Sequence, residues 1–248
     1  MASPRLARIA SSKQLNGETR LLEFVMPEGE PLNFAGGQYV IINTNIPLPG
    51  GKIAKRAYSI LSSDREQSKF EIAVKKVGTG LGSNYMHVTQ NGAEVPFSGP
   101  WGQFVPDEPG TSGRTLVLAT DTGITAALGL IQGAKFKSCA DQARMIWFVE
   151  SENYFIPPSF VRDICSSVDL DFSIEALPSV NHPERLSRAL AVLARLIQEV
   201  RPASVFLSGD GNLLYPIKEQ LMASQIEEKQ IKIECFFNNP FKKIGGTR

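Results

Sequence analysis

The feature that most constrains the fold is a change in the pattern of apolar residues at the segment PDEPG, residues 106–110. Before it, short apolar runs are separated by Gly, Pro, Asn or Asp, which is typical of an antiparallel barrel or sandwich. After it, strand-like runs alternate with helical periodicity, which predicts a parallel sheet with helices on both faces. We therefore predict two domains, joined at this proline- and glycine-rich segment.

The first half contains several short runs with the length and turn boundaries of strands. These predicted strands are Leu21–Met26, Gln38–Asn43, Arg56–Leu61, Phe70–Lys76 and Glu94–Phe97. We assign residues 1–108 to this β-rich domain, residues 109–237 to an α/β domain and residues 238–248 to a C-terminal tail that we expect to be mobile.

The second half alternates buried strands with helices. Its predicted strands are Thr115–Ala119, Met145–Val149, Asp171–Ala176, Ser204–Leu207 and Ile231–Phe237. Predicted helices run from a glycine turn to about Gly133, from Leu186 to Val200 and from Tyr215 to Ser224. The middle helix has apolar residues at intervals of three or four, which predicts one apolar stripe. Ligands of such open parallel sheets bind beyond the carboxyl ends of the strands.

Composition excludes several classes of protein. The 26 basic and 25 acidic residues give a net charge of +1, so no global bias points to nucleic acid. The three cysteines form no CxxC pair and no four-cysteine cluster motif, which favours a reducing compartment. Two histidines exclude a histidine-rich metal site. No signal-peptide or membrane-helix pattern is present, so we expect a cytoplasmic protein without membrane insertion.

The stretch KRAYSILSS, residues 55–63, is typical of a strand but carries three polar side chains within four positions. Arg56 is suited to a bidentate contact with a phosphate. Tyr58 is suited to lie on a flat heterocycle, and Ser59 to donate to a ring nitrogen. An ordinary edge strand with an exposed arginine and a cross-strand tyrosine explains the same residues, and the triplet alone leaves both interpretations open.

The stretch GTGLGSNYMH, residues 78–87, places three glycines before a short predicted helix. A glycine-rich turn exposes backbone N–H groups, and a helix start adds partial positive charge, so an anion fits there. A hairpin turn leading into a helix is the alternative. The following stretch SGPWGQF, residues 98–104, is typical of a tight turn that closes a barrel.

Two strand–turn–helix stretches follow the joint. In LVLATDTGITAALGLI, residues 116–131, Gly123 allows a tight turn and the neighbouring threonines offer N–H groups and hydroxyls to a pyrophosphate. In VFLSGDGNLLYPIKEQL, residues 205–221, a second glycine turn is expected at the same sheet edge. Helix capping by Asp121 or Thr122, and glycines chosen for turn geometry, are the alternatives.

In this order, the motifs resemble the ferredoxin–NADP reductase superfamily of flavoproteins, over about residues 5–237. The resemblance implies a Greek-key β-barrel that binds flavin, followed by a doubly wound parallel α/β domain that binds a nicotinamide nucleotide. Arg56 is then expected to contact the flavin phosphate, Tyr58 to pack on the isoalloxazine ring and Ser59 to hydrogen-bond near its N5.

The resemblance also implies the remaining site residues. The turn from Gly80 to Ser83 corresponds to the FAD pyrophosphate turn, and Thr122 to Thr125 to the nicotinamide-nucleotide pyrophosphate loop. The stretch from Ser208 stands beside the nicotinamide, and Glu234 to Phe236 beside the flavin. Implied catalytic residues are Ser59, Ser208 and Glu234; implied cofactor-binding residues are Arg56, Ala57, Tyr58, Ser59, Gly80, Leu81, Gly82, Ser83, Thr122, Gly123, Ile124, Thr125, Gly209, Asp210 and Phe236.

The chain departs from the family pattern at three positions. Asp121 stands where the nucleotide loop has a glycine, and Ala126 where it has a proline. A carboxylate beside a pyrophosphate is repulsive unless it points away or caps the helix. Ser208 replaces the usual cysteine, and its hydroxyl is still able to hydrogen-bond.

The nicotinamide preference is inferred from the ends of the second and third strands of the α/β domain. The segment from Glu150 to Asn153 is acidic, and Ser179-Val180 lacks an arginine. Acidic groups suit a free ribose hydroxyl better than a phosphate, so these residues favour NADH. Arg185 and Arg188 would reverse this preference if they fold back toward the site.

These features predict an FAD-dependent oxidoreductase that takes a hydride from NAD(P)H and passes single electrons to a separate carrier, such as ferredoxin or flavodoxin. A flavin-binding relay subunit with weak or no nicotinamide binding is the main alternative. A free-flavin reductase is a third possibility, which the pyrophosphate turn disfavours. Lysines near the flavin motifs are suited to steer an acidic carrier or simply form a solvated face: Lys52, Lys55, Lys75 and Lys76.

Overall fold

A computed structural model describes residues 4–107, 113–139, 142–150 and 154–241. It contains two sheets, one antiparallel and one parallel, in the predicted order along the chain. The predicted boundary between residues 108 and 109 lies outside the described residues. The fold class inferred from the alternation of elements is confirmed.

The first domain is a six-stranded antiparallel barrel with one helix. Its elements are β1 (Arg5–Gln14), β2 (Thr19–Val25), β3 (Tyr39–Leu48), β4 (Lys52–Ser59), β5 (Lys69–Lys75), α1 (Leu81–Val88) and β6 (Glu94–Trp101). The strand order is β4-β3-β6-β1-β2-β5, and the two edges meet where the Leu61 N–H donates to the Glu71 carbonyl at 2.8 Å. This contact closes the sheet into a barrel and protects its edges.

Strand β1 is absent from the sequence-based prediction. Only Ala7 and Ile9 of this strand are buried, and its other positions are partly or fully exposed. Such a strand gives a weak apolar alternation, because one of its two inward residues is a small alanine. Pairing with β2 on one side and β6 on the other determines its conformation.

The second domain is a five-stranded parallel sheet. Its elements are β7 (Thr115–Thr120), α2 (Ile124–Gln132), α3 (Ala134–Cys139), β8 (Ala143–Glu150), α4 (Pro158–Ser167), β9 (Asp171–Leu177), α5 (Arg185–Val200), β10 (Ser204–Asp210), α6 (Gly211–Ala223) and β11 (Ile231–Phe237). In the strand order β11-β10-β7-β8-β9, strands β8 and β9 lie on one side of β7, and β10 and β11 lie on the other. The carboxyl ends of these two strands therefore form the topological switch point, where ligands of such sheets bind.

Two helices of this domain, α3 and α4, are absent from the sequence-based prediction. Helix α4 buries only Val161 and Cys165, so its apolar stripe is too short to be recognised by periodicity. The central strand β7 is buried at all six positions, which is expected of a strand covered by helices on both faces. Helices α2 and α4 contribute to the core on one face, and α5 and α6 to the core on the other.

Helix α2 joins the two domains through close backbone contacts. A Cβ atom added at Gly129 would collide with the carbonyl oxygen of Ile60, and one added at Gly36 would collide with the carbonyl oxygen of Gly129. Beside these contacts, the Gln132 amide donates to the Leu61 carbonyl at 2.7 Å. The Asp64 carboxylate accepts from backbone N–H groups of both domains, at 3.0 Å and 2.9 Å. Glycine is required where the helix meets the barrel.

Substitution of Gly129 by alanine is expected to destabilise the protein although alanine is favoured within helices by about 1 kcal/mol. The added methyl group has no room against the Ile60 carbonyl, so the helix must shift. We expect a net loss of roughly 1–3 kcal/mol in the free energy of unfolding, measured by denaturant titration. The matched control is Gly17→Ala, because no atom lies within 4 Å of a Cβ at Gly17. Equal stabilities of the two variants would contradict the packing argument.

Candidate active site

The stretch around Arg56 forms the second half of β4 and faces the beginning of α1. The Arg56 side chain is exposed, and a Cβ atom added at Gly82 would lie 2.9 Å from its Cβ. The Tyr58 hydroxyl is buried and has no hydrogen-bond partner among the described residues. Burial raises the pKa of Tyr58 to about 12, although the nearby Arg56 opposes the rise. A buried hydroxyl without a partner is costly, so this group fits a ligand that supplies one.

The glycine turn before α1 is fixed by its own side chains. Ser83 Oγ donates to the Gly80 carbonyl at 3.0 Å and accepts from the Val77 N–H at 3.2 Å. Asn84 Nδ2 donates to the Gly78 carbonyl at 3.0 Å. The residue at the start of α1 is Gly80, which provides no side-chain cap. The first N–H groups of the helix thus suit an anionic group, as the FAD pyrophosphate turn of the resembled family requires.

Arg20 anchors the opposite end of α1 and was missed by sequence reasoning. Its Nη1 donates to the carbonyls of Met86, His87 and Thr89 at 3.0, 3.0 and 2.9 Å. A cation at the carboxyl end of a helix satisfies its last carbonyls and complements its dipole. No local motif announces this role, because Arg20 lies in β2 and reaches residues 66 to 69 positions away.

Ser59, at the end of β4, is buried and lies opposite Tyr39 of β3, which in turn pairs with Trp101 of β6. A Cβ atom added at Gly102 would lie 3.1 Å from the Tyr39 ring and 3.5 Å from Glu234 Oε2. The carboxyl group of the last strand of the α/β domain therefore reaches the barrel beside these residues. Ser59 and Glu234, predicted from distant motifs, share one region.

The environment of Glu234 changes its acidity. Burial raises the pKa of Glu234 to about 7, so its carboxyl group is partly protonated near neutral pH. Burial also raises the pKa of the Tyr39 hydroxyl, and the charge of Glu234 adds to that rise. The arrangement is able to hold a proton between the two domains, as expected of an acid–base group.

The two glycine turns at the switch point pack directly against each other. The parallel pairing of Ser208 with Ala119 places them at the same edge of the sheet, as predicted. A Cβ atom added at Gly123 would collide with the Ser208 carbonyl, and one at Gly209 with the Thr120 hydroxyl. The backbone at Gly209 has a φ of +126°, which strongly favours glycine. Both turns therefore need glycine for close approach.

Two predicted side chains at this edge are already used by the protein. Ser208 is fully buried, and its hydroxyl donates to the Gly123 carbonyl at 2.9 Å. Asp210 is also buried; its carboxylate accepts from the Asn212 N–H at 3.0 Å and from Asn238 Nδ2 at 2.8 Å. The first residue holds the two turns together, and the second caps α6. A catalytic role of Ser208 and a cofactor contact of Asp210 stay predictions.

The other predicted positions differ in exposure. Ala57 is exposed, Leu81 is 44% exposed and Phe236 is 36% exposed, so each side chain is available for contact. Ile124 is fully buried. The Thr125 hydroxyl donates to the Thr122 carbonyl at 3.0 Å, so both threonines stabilise their own turn. Contacts of this loop with a nucleotide would therefore come mainly from the backbone.

Asp121 forms an ion pair beside the predicted nucleotide loop. Its φ of +48° is left-handed, and its carboxylate accepts from Arg185 Nη2 at 2.9 Å. Its carbonyl accepts from Trp147 Nε1 at 2.9 Å. Burial raises the pKa of Asp121, and the Arg185 guanidinium opposes that rise. The repulsion expected from the sequence is thus reduced by the ion pair with Arg185.

A cavity of about 240 Å³ lies between the domains beside Asp121. It is lined by Lys75 of the barrel and by Asp121, Thr122, Trp147, Val149, Glu150 and Phe155 of the α/β domain. The cavity adjoins the carboxyl ends of β7 and β8, the edge at which a nucleotide is expected. The acidic segment predicted to follow β8 is described only at Glu150, since Ser151 to Asn153 lie outside the described residues.

The tail is described as far as Phe241. Asn238 contacts Asp210 as above, the Tyr215 hydroxyl donates to Asn239 Oδ1 at 3.2 Å, and the Phe241 ring packs edge-on against Tyr215 at 5.1 Å. The first part of the predicted mobile tail therefore packs on α6. Within the described ranges, no helix has the length and apolar character needed to cross a membrane.

Comparison with known proteins identifies relatives of the barrel domain. Residues 6–105 match the family described as "Oxidoreductase FAD-binding domain". Ferredoxin–NADP reductase B of Sorangium cellulosum (strain So ce56) is 38% identical over 133 residues, covering 54% of this chain and 53% of the relative. NADH-cytochrome b5 reductase 1 of Mycosarcoma maydis is 30% identical over 139 residues, covering 56% and 41%. The matches thus span about half, or less, of these relatives.

A solved structure extends the fold similarity to both domains. The flavohem-like FAD/NAD-binding domain of nitric oxide dioxygenase from Vibrio cholerae O1 biovar El Tor superimposes with a TM-score of 0.73 at 18% identity. The match covers 94% of this chain and 98% of that domain. The likeness concerns the fold and includes the arrangement of barrel and parallel sheet.

The pKa of Glu234 predicts a pH-dependent stability in the cofactor-free protein. Its folded-state pKa of about 7 lies above the ordinary value of 4.5, so the stabilisation is complete below about pH 4.5 and is lost as pH rises through 7. The unfolding free energy of wild type should therefore decline between pH 5 and pH 8. In Glu234→Gln this decline should be smaller by roughly 1–3 kcal/mol. Glu228→Gln, at an exposed carboxylate, should leave the decline unchanged. Parallel curves for wild type and Glu234→Gln would refute the assignment.

Proposed function

Because the chain belongs to the ferredoxin–NADP reductase superfamily, we propose that it is an FAD-dependent reductase that oxidises NAD(P)H and passes single electrons to a separate carrier protein. The observation that carries this proposal is the convergence of three parts. Glu234 lies beside Gly102 and Tyr39 of the barrel, and Tyr39 pairs with Ser59 at the end of the proposed flavin strand. The two turns of the α/β domain pack against each other at the start of helix α2. Helix α2 connects these turns to the barrel through its contact with Ile60.

The residues of the barrel fit FAD. The exposed Arg56 guanidinium and the uncapped start of α1 suit its phosphates, and the Tyr58 hydroxyl needs a hydrogen-bond partner that the described protein does not supply. Bound FAD supplies the exchange between two-electron hydride and single-electron chemistry. Arg56 and the first turn of α1 would hold the phosphates, and Tyr58 would orient the ring system.

Glu234 and Ser59 are proposed to act where the two domains meet. Burial raises the pKa of Glu234 to about 7, so its carboxyl group is partly protonated near neutral pH. Ser59 is buried at the end of β4 and is proposed to hydrogen-bond the flavin ring. The close packing of Gly123 against Ser208 keeps the α/β turns in one arrangement, which restricts where a nicotinamide ring is able to enter. These residues bind, orient and protonate; the redox change belongs to the cofactors.

A separate carrier is proposed on the basis of exposed lysines near the flavin motifs. Lys55 and Lys76 are chain neighbours of Arg56 and Val77, which contact the first turn of α1 at Gly82 and Ser83. Both lysines are exposed, whereas Lys75 pairs with Glu18 at 3.7 Å. A basic rim beside a redox site favours an acidic one-electron carrier such as ferredoxin or flavodoxin, by steering its approach.

The proposal is tested by the visible spectrum of the purified protein under anaerobic conditions. We expect a yellow protein whose flavin absorbance bleaches on addition of NADH or NADPH. Indifference to both nucleotides would reject the reductase and favour the relay subunit. Loss of FAD on gel filtration, with turnover of added free flavin, would favour the free-flavin reductase.

Arg56→Ala should weaken FAD binding by about tenfold or more, measured by fluorescence titration of the cofactor-free protein.

The docking proposal is tested by charge reversal. Lys55→Glu with Lys76→Glu should slow ferredoxin reduction by about tenfold at low salt and flatten its salt dependence, while NAD(P)H oxidation with ferricyanide is retained. The matched control, Lys137→Glu with Lys229→Glu, makes the same charge change near the amino edge of the parallel sheet, beside Phe136 and Gln230. Equal effects of the two pairs would attribute the result to net charge rather than to a docking surface.

A further inference from the structure

The carboxyl edge of the parallel sheet carries a buried guanidinium that spans three strands. Arg185 Nη1 donates to the carbonyl of Pro178, just after β9, at 2.6 Å. Its Nη2 donates to the carboxylate of Asp121, just after β7, at 2.9 Å. Strand β8 lies between β7 and β9 in the sheet. The guanidinium therefore crosses the edge near the end of β8, and Arg185 is only 4% exposed.

In doubly wound sheets, the end of the second strand is where the adenosine ribose of a dinucleotide is recognised. A dinucleotide places its pyrophosphate at the turn after the first strand, and its adenosine ribose extends toward the end of the second strand. An acidic residue there accepts from the ribose 2′-hydroxyl of NAD, whereas an arginine accommodates the 2′-phosphate of NADP. In this domain the first and second strands are β7 and β8, which end next to Asp121 and at Glu150.

The arginine at this edge is not available to a phosphate. Two of its nitrogens donate to protein groups, and its buried Nε has no partner in the described part of the chain. Asp121 and Glu150 both line the adjoining cavity, and their charges interact. A 2′-phosphate would have to displace the Asp121 carboxylate and approach Glu150 as well. Both steps oppose its binding.

The other basic groups nearby do not reverse this balance. Arg188 pairs with Glu184 at 2.9 Å, and both side chains are well exposed. Lys75 lines the same cavity from the barrel and interacts with Glu18 at 3.7 Å. Asp210 adds a further negative charge that acts on Asp121. The charged groups at the edge thus favour a neutral ribose hydroxyl over a dianionic phosphate.

We propose that the Asp121–Arg185 ion pair is a selectivity device that makes this chain use NADH in preference to NADPH. The inference rests on the proposed reductase function. Asp121 withholds the guanidinium from a 2′-phosphate, and Glu150 accepts a hydrogen bond from the ribose hydroxyl. The aspartate that interrupts the family pattern thereby has a function of its own.

Asp121→Gly is the direct test, because glycine adopts the left-handed φ of +48° at this position without strain. Removal of the carboxylate frees Arg185 for a phosphate. We expect wild type to have the higher kcat/KM with NADH, and the variant to raise the NADPH-to-NADH ratio of kcat/KM by about tenfold or more. Asp121→Asn, which keeps the side-chain size, should shift the ratio in the same direction. An unchanged ratio in both variants, or a wild type that prefers NADPH, would overturn the proposal.

A control on the same helix is Glu175→Gln, which removes one of two carboxylates beside Arg195, an exposed arginine 3.2 Å from Glu175 and 3.8 Å from Glu199. Arg195 lies ten residues further along α5, about 15 Å from Arg185, so the ratio should not change. A similar increase in this control would mean that added positive charge alone changes selectivity.

Binding of nucleotide fragments separates this proposal from the reductase function. Calorimetry should show that wild type binds 5′-AMP more tightly than 2′,5′-ADP, and that Asp121→Gly narrows or reverses the difference. This measurement needs no electron transfer. A protein whose flavin neither nucleotide reduces, but which still discriminates the fragments, would reject the reductase and keep the selectivity device. If the ratio of the affinities for 5′-AMP and 2′,5′-ADP is the same in wild type and Asp121→Gly, the selectivity proposal is rejected.

Discussion

The contact between helix α2 and the barrel is the constraint on which the rest of the structure depends. Gly129 lets the helix touch the carbonyl of Ile60, the residue that directly follows the proposed flavin strand. The same helix begins at Ile124, directly after the nucleotide turn. One short helix therefore sets the distance between the two proposed cofactor positions. Since packed interiors do not deform continuously, a small shift of α2 would move both sites relative to each other.

Two partly buried carboxyl groups lie along this interface and have different surroundings. Glu234 has no cation among the causes of its shifted pKa, so burial keeps its carboxyl group partly protonated near pH 7. Asp121 is paired with Arg185, and the two side chains connect the ends of β7 and β9. Buried ion pairs contribute little net stability, because desolvation offsets the attraction. The carboxyl group of Glu234 is partly protonated near neutral pH, whereas that of Asp121 is bound to the Arg185 guanidinium.

Sequence patterns predicted the architecture better than they predicted individual contacts. Strong apolar runs such as β7 and the periodic helix α5 were recognised, because burial imposes their composition. Strand β1 and helix α4 were missed, since each buries only two residues and depends on neighbours for its conformation. Arg20 was missed for the same reason: it caps α1 from a strand distant in sequence.

The sequence by itself determined the types of groups that the site contains: an arginine, tyrosine and serine on one strand, and glycines at three turns that require close approach or positive φ. Only the tertiary structure decided what those groups contact. The carboxylate of Asp121 turns to Arg185, 64 residues away, and the hydroxyl of Ser208 to Gly123, 85 residues away. Local patterns report on backbone conformation and burial, whereas the direction of a polar side chain depends on partners that folding brings together.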